Sequence, residues 1–205
     1  MQNIIEHLGI AVAAVTGVLA ARGKAIDLFG VMVLAVVTAF GGGTLRDVML
    51  GDFPVLWVRD PALLLNAVTV AVLVFFLARR RDLPERLLLI ADAGALALFT
   101  AIGVQKALAF HTELPVAVAM GVITGVAGGI LRDLLTGEIP LVFRRAIYLY
   151  ATAALAGGTT LALLQHFYHD TPGNLVASVG VTLALRLAGI RWKLALPLFQ
   201  TRDGK

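Results

Sequence analysis

The sequence predicts an all-α membrane protein: seven transmembrane helices, arranged as a 3+3 inverted-topology repeat plus one extra helix. Three observations lead there. Hydrophobic residues make up 59% of the 205 and charged residues 15%, where soluble domains average about 45–50% apolar and about 25% charged. The apolar residues gather into runs of the length a bilayer demands, about 20 residues each, and the mean hydropathy is +0.89. Finally, GGGTLRDVMLGDFP at 41–54 returns as AGGILRDLLTGEIP at 127–140, 86 residues later and identical at seven of fourteen positions.

The first span is 4–21, with Glu6 and His7 at its outer end. No basic region precedes it, so it reads as a retained helix rather than a signal peptide. The second, 28–45, is free of charge and begins after Asp27; the third is 61–78. A basic loop, RRRDLPER at 79–86, separates these from a fourth span at 87–107 that carries Asp92 and Lys106 near its ends. The fifth is 114–131, the sixth 146–165 with Gly157 and Gly158 mid-span, and the seventh 174–190 with Arg186 near its end. A short basic tail, 191–205, follows. The units are therefore 1–86, 87–170 and 171–205. Tyr148, Tyr150, Trp57 and Trp192 suit the aromatic belts at membrane surfaces.

Net charge is +4, yet the charges fall between apolar runs rather than on one face, which excludes a nucleic-acid surface and reads as topology. With the N-terminus outside, fourteen of the seventeen Lys and Arg residues face inward, and only Arg46, Arg59 and Lys106 face outward. The positive-inside rule thus predicts N-out, C-in. The chain has no cysteine, which rules out disulfides and thiolate metal sites. No histidine cluster suggests metal ligation, so the histidines read as surface residues and no cofactor is expected.

The offset of 86 residues maps spans one to three onto spans four to six. It pairs Glu6 with Asp92, Gly17 with Gly103 and Thr38 with Thr124. Three spans per unit make the second copy enter from the opposite side, and in such folds the permeation or binding site lies where interrupted helices of the two repeats meet. The glycines Gly41, Gly42 and Gly43, with Gly128 and Gly129 in the second copy, are placed to interrupt them. Each costs about 1 kcal/mol relative to alanine in a helix. Carbonyls freed at a kink are tolerated only against protein or water, where they make good cation ligands. Thr38, Thr44 and Thr124 add hydroxyls to the same segments. The alternative use of these glycines is close helix packing.

Arg46-Asp47 and Arg132-Asp133 follow the glycines by about one turn. Each arginine is expected to reach back to a carbonyl or a carboxylate, either bracing the kink or plugging a pore. Neighbouring helical residues point in different directions, so the pairs need not bond internally. Asp92, about a turn and a half into its span, is a candidate cation or proton site. Lys106 is a candidate pore charge.

The doubled GGGxLRD-type motif, each copy followed by Gly-acidic-x-Pro, on a 3+3+1 chain, resembles the prokaryotic branch of the trimeric intracellular cation (TRIC) channel family. Its sequences are also catalogued as bacterial glycine transporter domain proteins. The resemblance spans both repeats. It implies a homotrimer in the lipid bilayer of the inner (plasma) membrane, each protomer holding its own pore for monovalent cations, chiefly K⁺. It further implies that the second and fifth helices kink at 41–43 and 127–129 beside that pore. The second copy departs from the pattern at Ala127. A secondary transporter of glycine or another small solute is the alternative. Every acid lies near a helix end, so no midplane coupling carboxylate supports it. No nucleophile–base pair or metal cluster suggests an enzyme.

Overall fold

The computed structural model describes residues 2–81, 83, 84, 86–144, 149–168 and 171–194. Tyr148, His169, Arg145, Arg202 and Lys205, and the tail past residue 194, lie outside the described residues. Described secondary structure is helical throughout: α1 (Gln2–Ala20), α2 (Leu28–Leu50), α3 (Leu56–Arg59), α4 (Pro61–Arg80), α5 (Arg86–Ala109), α6 (Leu114–Leu135), α7 (Tyr150–Phe167) and α8 (Pro172–Trp192), with a 3₁₀ turn at Leu141–Phe143. Six of these, α1, α2, α4, α5, α6 and α8, are long and apolar enough to cross a membrane. The sixth predicted span coincides with α7, which lies outside that set because its glycines, threonines, Gln165 and His166 dilute an 18-residue helix.

Local chemistry sets the boundaries. Asp27 caps α2 by accepting the Gly30 amide at 2.8 Å, and Asp60 caps α4 through the Ala62 amide at 3.0 Å with Pro61 in the first turn. These side chains satisfy amides that a helix start leaves without partners. At the far end of α2 the chain turns at Gly51 (φ 70°), and just past α6 it turns at Gly137 (φ 72°). Left-handed backbone is the conformation in which glycine has an advantage over every other residue. These are the glycines of the two Gly-acidic-x-Pro segments, and each turn leads into a short helical piece, α3 or the 3₁₀ turn.

α1, α2, α5 and α6 form the centre. α1 packs on α2 and α5, and α6 packs on α2 and α5; α4 flanks the first pair and α7 the second. Among the described residues α8 packs on α5 and α7. The interior is built largely of alanine, including Ala14, Ala35, Ala67, Ala97, Ala101, Ala117 and Ala153, all fully buried. Large side chains such as Phe29, Leu65, Leu73 and Val176 face outward. That inside-out arrangement suits a bilayer, where helix association depends on close backbone approach rather than on hiding leucines from water.

The sequence read the glycine clusters as points where the second and fifth spans are interrupted or kinked; the helices are not interrupted there. α2 and α6 run unbroken through them and continue to Leu50 and Leu135, which carries both Arg-Asp pairs into the helices. The reason lies in the contacts. A Cβ at Gly42 would meet the Thr124 carbonyl oxygen, and a Cβ at Gly128 would meet the Thr38 carbonyl oxygen. Since Gly42 matches Gly128 and Thr38 matches Thr124 in the repeat, the contact is reciprocal, as in an isologous interface. It also requires α2 and α6 to run antiparallel, the sense expected of an inverted repeat.

Candidate permeation site

The reciprocal seam borders a small central cavity of about 10 Å³. α2 contributes Thr38 and Gly42 to its wall, α6 Thr124, Gly128, Gly129 and Arg132, α5 Asp92, and α1 Thr16. Each threonine hydroxyl donates to its own helix, Thr38 to the Leu34 carbonyl at 2.6 Å and Thr124 to the Met120 carbonyl at 2.6 Å. Their oxygen lone pairs remain free to accept. A second small cavity, about 20 Å³, shares Ala39 and Phe99 with the first and is lined by Glu6, Gly43, Thr44 and Arg46. Beyond these narrow spaces lie two wide, open vestibules. One, about 630 Å³, is edged by Glu6, Arg59 and Lys106; the other, about 620 Å³, by Arg22, Lys24, Asp133 and Glu138.

The two Arg-Asp pairs are buried and built alike. Arg46 donates through Nε to Asp47 Oδ1 at 2.9 Å, and Arg132 donates through Nε to Asp133 Oδ1 at 2.8 Å. Although adjacent in sequence, the partners do bond to each other. The second oxygen of each aspartate accepts the amide that opens the following short helix: Leu56 to Asp47 Oδ2 at 3.0 Å and Leu141 to Asp133 Oδ2 at 2.7 Å. So each aspartate ties the end of its long helix to the chain beyond the glycine turn. The arginine neutralises the buried carboxylate, which burial alone would make costly. Thr44 accepts the Trp57 indole N–H at 3.2 Å, anchoring α3 on α2.

Around this shared core the halves diverge. Lys106 donates to Asp47 Oδ1 at 2.7 Å and pairs with Asp52 at 2.6 Å, and Arg59 also pairs with Asp52 at 2.6 Å. These bonds hold the Asp52 carboxyl below its ordinary value, Lys106 first and Arg59 second. In the other half Arg132 turns its Nη1 to Asp92 Oδ1 at 2.9 Å, and the Tyr150 hydroxyl donates to the same oxygen at 3.2 Å. Glu138, the counterpart of Asp52, pairs with Lys24 at 2.5 Å and Arg144 at 3.1 Å; the Lys24 bond leads in lowering its carboxyl.

The structure thus brings Thr38, Gly42, Thr124, Gly128, Gly129, Asp92 and Arg132 to one cavity and Gly43, Thr44 and Arg46 to the next. Gly41 packs against Leu131 beside the seam. Lys106, Asp47 and Asp133 take up bracing positions at the two ends. Tyr150 corrects the sequence reading: it is 5% exposed and bonded to Asp92, not a belt residue. Sequence reasoning did not attach Arg186 to this cluster, yet its Nη2 lies 3.7 Å from Asp92 Oδ2. Only an arginine inside a span hinted at it. The Lys24 and Lys106 ties to the two acidic turns were also unforeseen.

A glycine transporter family model matches the chain twice, over residues 3–79 and 89–166. The UPF0126 inner membrane protein YadS of Escherichia coli (strain K12) is 46% identical over 198 residues, covering 95% of this chain and 94% of the relative. A solved TRIC trimeric intracellular cation channel orthologue from Rhodobacter sphaeroides is 40% identical, with a TM-score of 0.89 over 94% of this chain and 98% of that one. A structure solved for conductance through TRIC cation channels is 30% identical, with a TM-score of 0.88 over 98% of each chain. With its membrane-length helices and inner-membrane relatives, the chain is an inner-membrane protein. It belongs to the TRIC family, the group that the glycine transporter family model describes.

Proposed function

We propose that this protein is a channel for monovalent cations, chiefly K⁺, with one pore in each protomer of a homotrimer. The reading takes the chain as seven membrane helices, N-out and C-in, in units 1–86, 87–170 and 171–205. The path runs from the Lys106 vestibule past Glu6 and Arg46, through the waist between Thr38, Gly42, Thr124 and Gly128, and past Asp92 and Arg132 to the Lys24 vestibule. The observation that carries it is the narrow central cavity, lined from both repeats by Thr38, Thr124 and the seam glycines, with two wide mouths beyond it. Oxygen lone pairs on uncharged groups replace part of a cation's hydration shell without binding it too tightly to leave. Solved relatives described as cation channels support the same reading.

In this geometry the charged groups narrow the path on either side of the waist, so conduction requires α2 and α6 to bend at 41–43 and 127–129, or Arg46 and Arg132 to shift. K⁺ currents in planar bilayers, recorded for wild type, Arg46→Ala and Arg132→Ala, test it. Discrete currents whose conductance or open probability changes in the variants are expected. Silence, with saturable glycine uptake into proteoliposomes, would refute the channel.

A further inference from the structure

We propose that Arg186, on the helix that lies outside the repeat, is a positioning residue of the permeation path: it holds the Asp92 carboxylate so that Arg132 keeps its place beside the waist. The inference rests on the channel reading above. Arg186 is fully buried, and its guanidinium carbon sits 4.5 Å from the centre of the Tyr150 ring. Asp92 is held from two sides. Its Oδ1 accepts Arg132 at 2.9 Å and Tyr150 at 3.2 Å, while its Oδ2 faces Arg186 Nη2 at 3.7 Å. Asp92 and Arg132 line the central cavity; Arg186 does not. It acts on the path from behind, through the carboxylate.

The consequence follows from arginine–carboxylate geometry. A guanidinium and a carboxylate favour a two-pronged pairing. With Oδ2 turned to Arg186, Arg132 receives only Oδ1 from Asp92, and its Nε is left for Asp133. Without Arg186, Asp92 is free to present both oxygens to Arg132 and draw it toward α5. The first repeat supplies the contrast. Nothing in it corresponds to α8, and among the described residues no ion pair joins Glu6, the counterpart of Asp92, to Arg46, though both line one cavity.

Bilayer recordings of Arg186→Gln, Arg186→Lys, Arg186→Met, Asp92→Asn and the Arg186→Gln/Asp92→Asn double variant decide the matter. The expected result is at least a twofold change in K⁺ conductance for Arg186→Gln and Arg186→Met, with recovery toward wild type in Arg186→Lys. The double variant should conduct as Asp92→Asn alone does. Wild-type conductance in Arg186→Gln, or effects of Arg186→Gln and Asp92→Asn that simply add, would overturn the proposal. Recovery in Arg186→Met as well as Arg186→Lys would reduce the residue to packing and also overturn it. If Arg186→Gln does not assemble, the Lys and Met variants carry the same contrast. A silent wild type removes the channel reading itself, whereas a conducting wild type matched by Arg186→Gln removes only this inference.

Discussion

Arg46 and Arg132 occupy one motif twice, but their surroundings differ in how they meet water. The Arg46 cluster is vented. Lys106, which shares Asp47 with Arg46, is 15% exposed and reaches into a vestibule beside Arg59. In the second repeat Asp133 edges the other vestibule, but the groups behind it are sealed, with Arg132 and Arg186 at 0% and Asp92 at 3% exposure. The bonds common to both halves, arginine to aspartate and aspartate to the next amide, do the work of building the fold. What differs is the acid one repeat-length away, apart from its arginine at Glu6 and locked to it at Asp92. The brace is common to both repeats, and its surroundings are not.

The largest expected effect falls on the first repeat. Asp47→Ala leaves the buried Arg46 without an ion-pair partner among the described residues and should cost about 3–5 kcal/mol, seen as a sharp fall in the melting temperature of the purified protein. Asp133→Ala should cost less, because Arg132 keeps Asp92 at 2.9 Å. Equal losses would erase the distinction between an arginine with one carboxylate and an arginine with two. Next come Gly42→Ala and Gly128→Ala, which push a methyl into a carbonyl and should each cost about 1–3 kcal/mol. Reciprocity demands similar values from the two; a large difference in melting temperature would break it.

Smaller still is the pH effect at the acidic turns. Asp52 and Glu138 titrate below their ordinary values near 3.8 and 4.5 in the folded protein. A depressed carboxyl contributes stability that is fully present above its unfolded value and lost as pH falls through the folded one. Melting temperature should therefore hold through mild acid, then drop below about pH 4, with a shallower drop in Asp52→Asn. The smallest effect belongs to Lys24→Gln, whose pairing with Glu138 is exposed and screened by salt. Its melting temperature should differ from wild type at low salt and converge on it at high salt; a difference that persists at high salt would mark the tie as more than a surface pair.

Much of this was legible in the sequence. Membrane-length runs announced the helices, and a motif recurring at fixed offset announced the inverted pair α2 and α6. The Arg-Asp pairs were found because both partners recur together. Helix continuity was not legible, since glycines that break a helix and glycines that let a neighbour's carbonyl approach look the same in one dimension. Tyr150 and Arg186 were hidden for another reason. Neither has a counterpart in the other repeat, so nothing doubled to draw attention to them, and their partner Asp92 is distant in the chain. The vestibule ties of Lys24 and Lys106 depend on which ends meet, which only the folded arrangement reveals.

The reciprocal seam also constrains motion. Its two contacts, Gly42 with Thr124 and Thr38 with Gly128, lie about 6 Å apart along each helix, at 1.5 Å per residue over four residues. Two helices keyed at two points can roll about the line joining them, like the covers of a book about its spine. They cannot slide past one another by a helical turn, because that would bring Thr38 or Arg46, in place of Gly42, against the Thr124 carbonyl. An elevator-like cycle, with one repeat travelling along the other, would have to unkey both points at once. Spin labels on α2 and α6 should accordingly report changes in angle and none in axial register; an axial displacement between functional states would show that the key had opened.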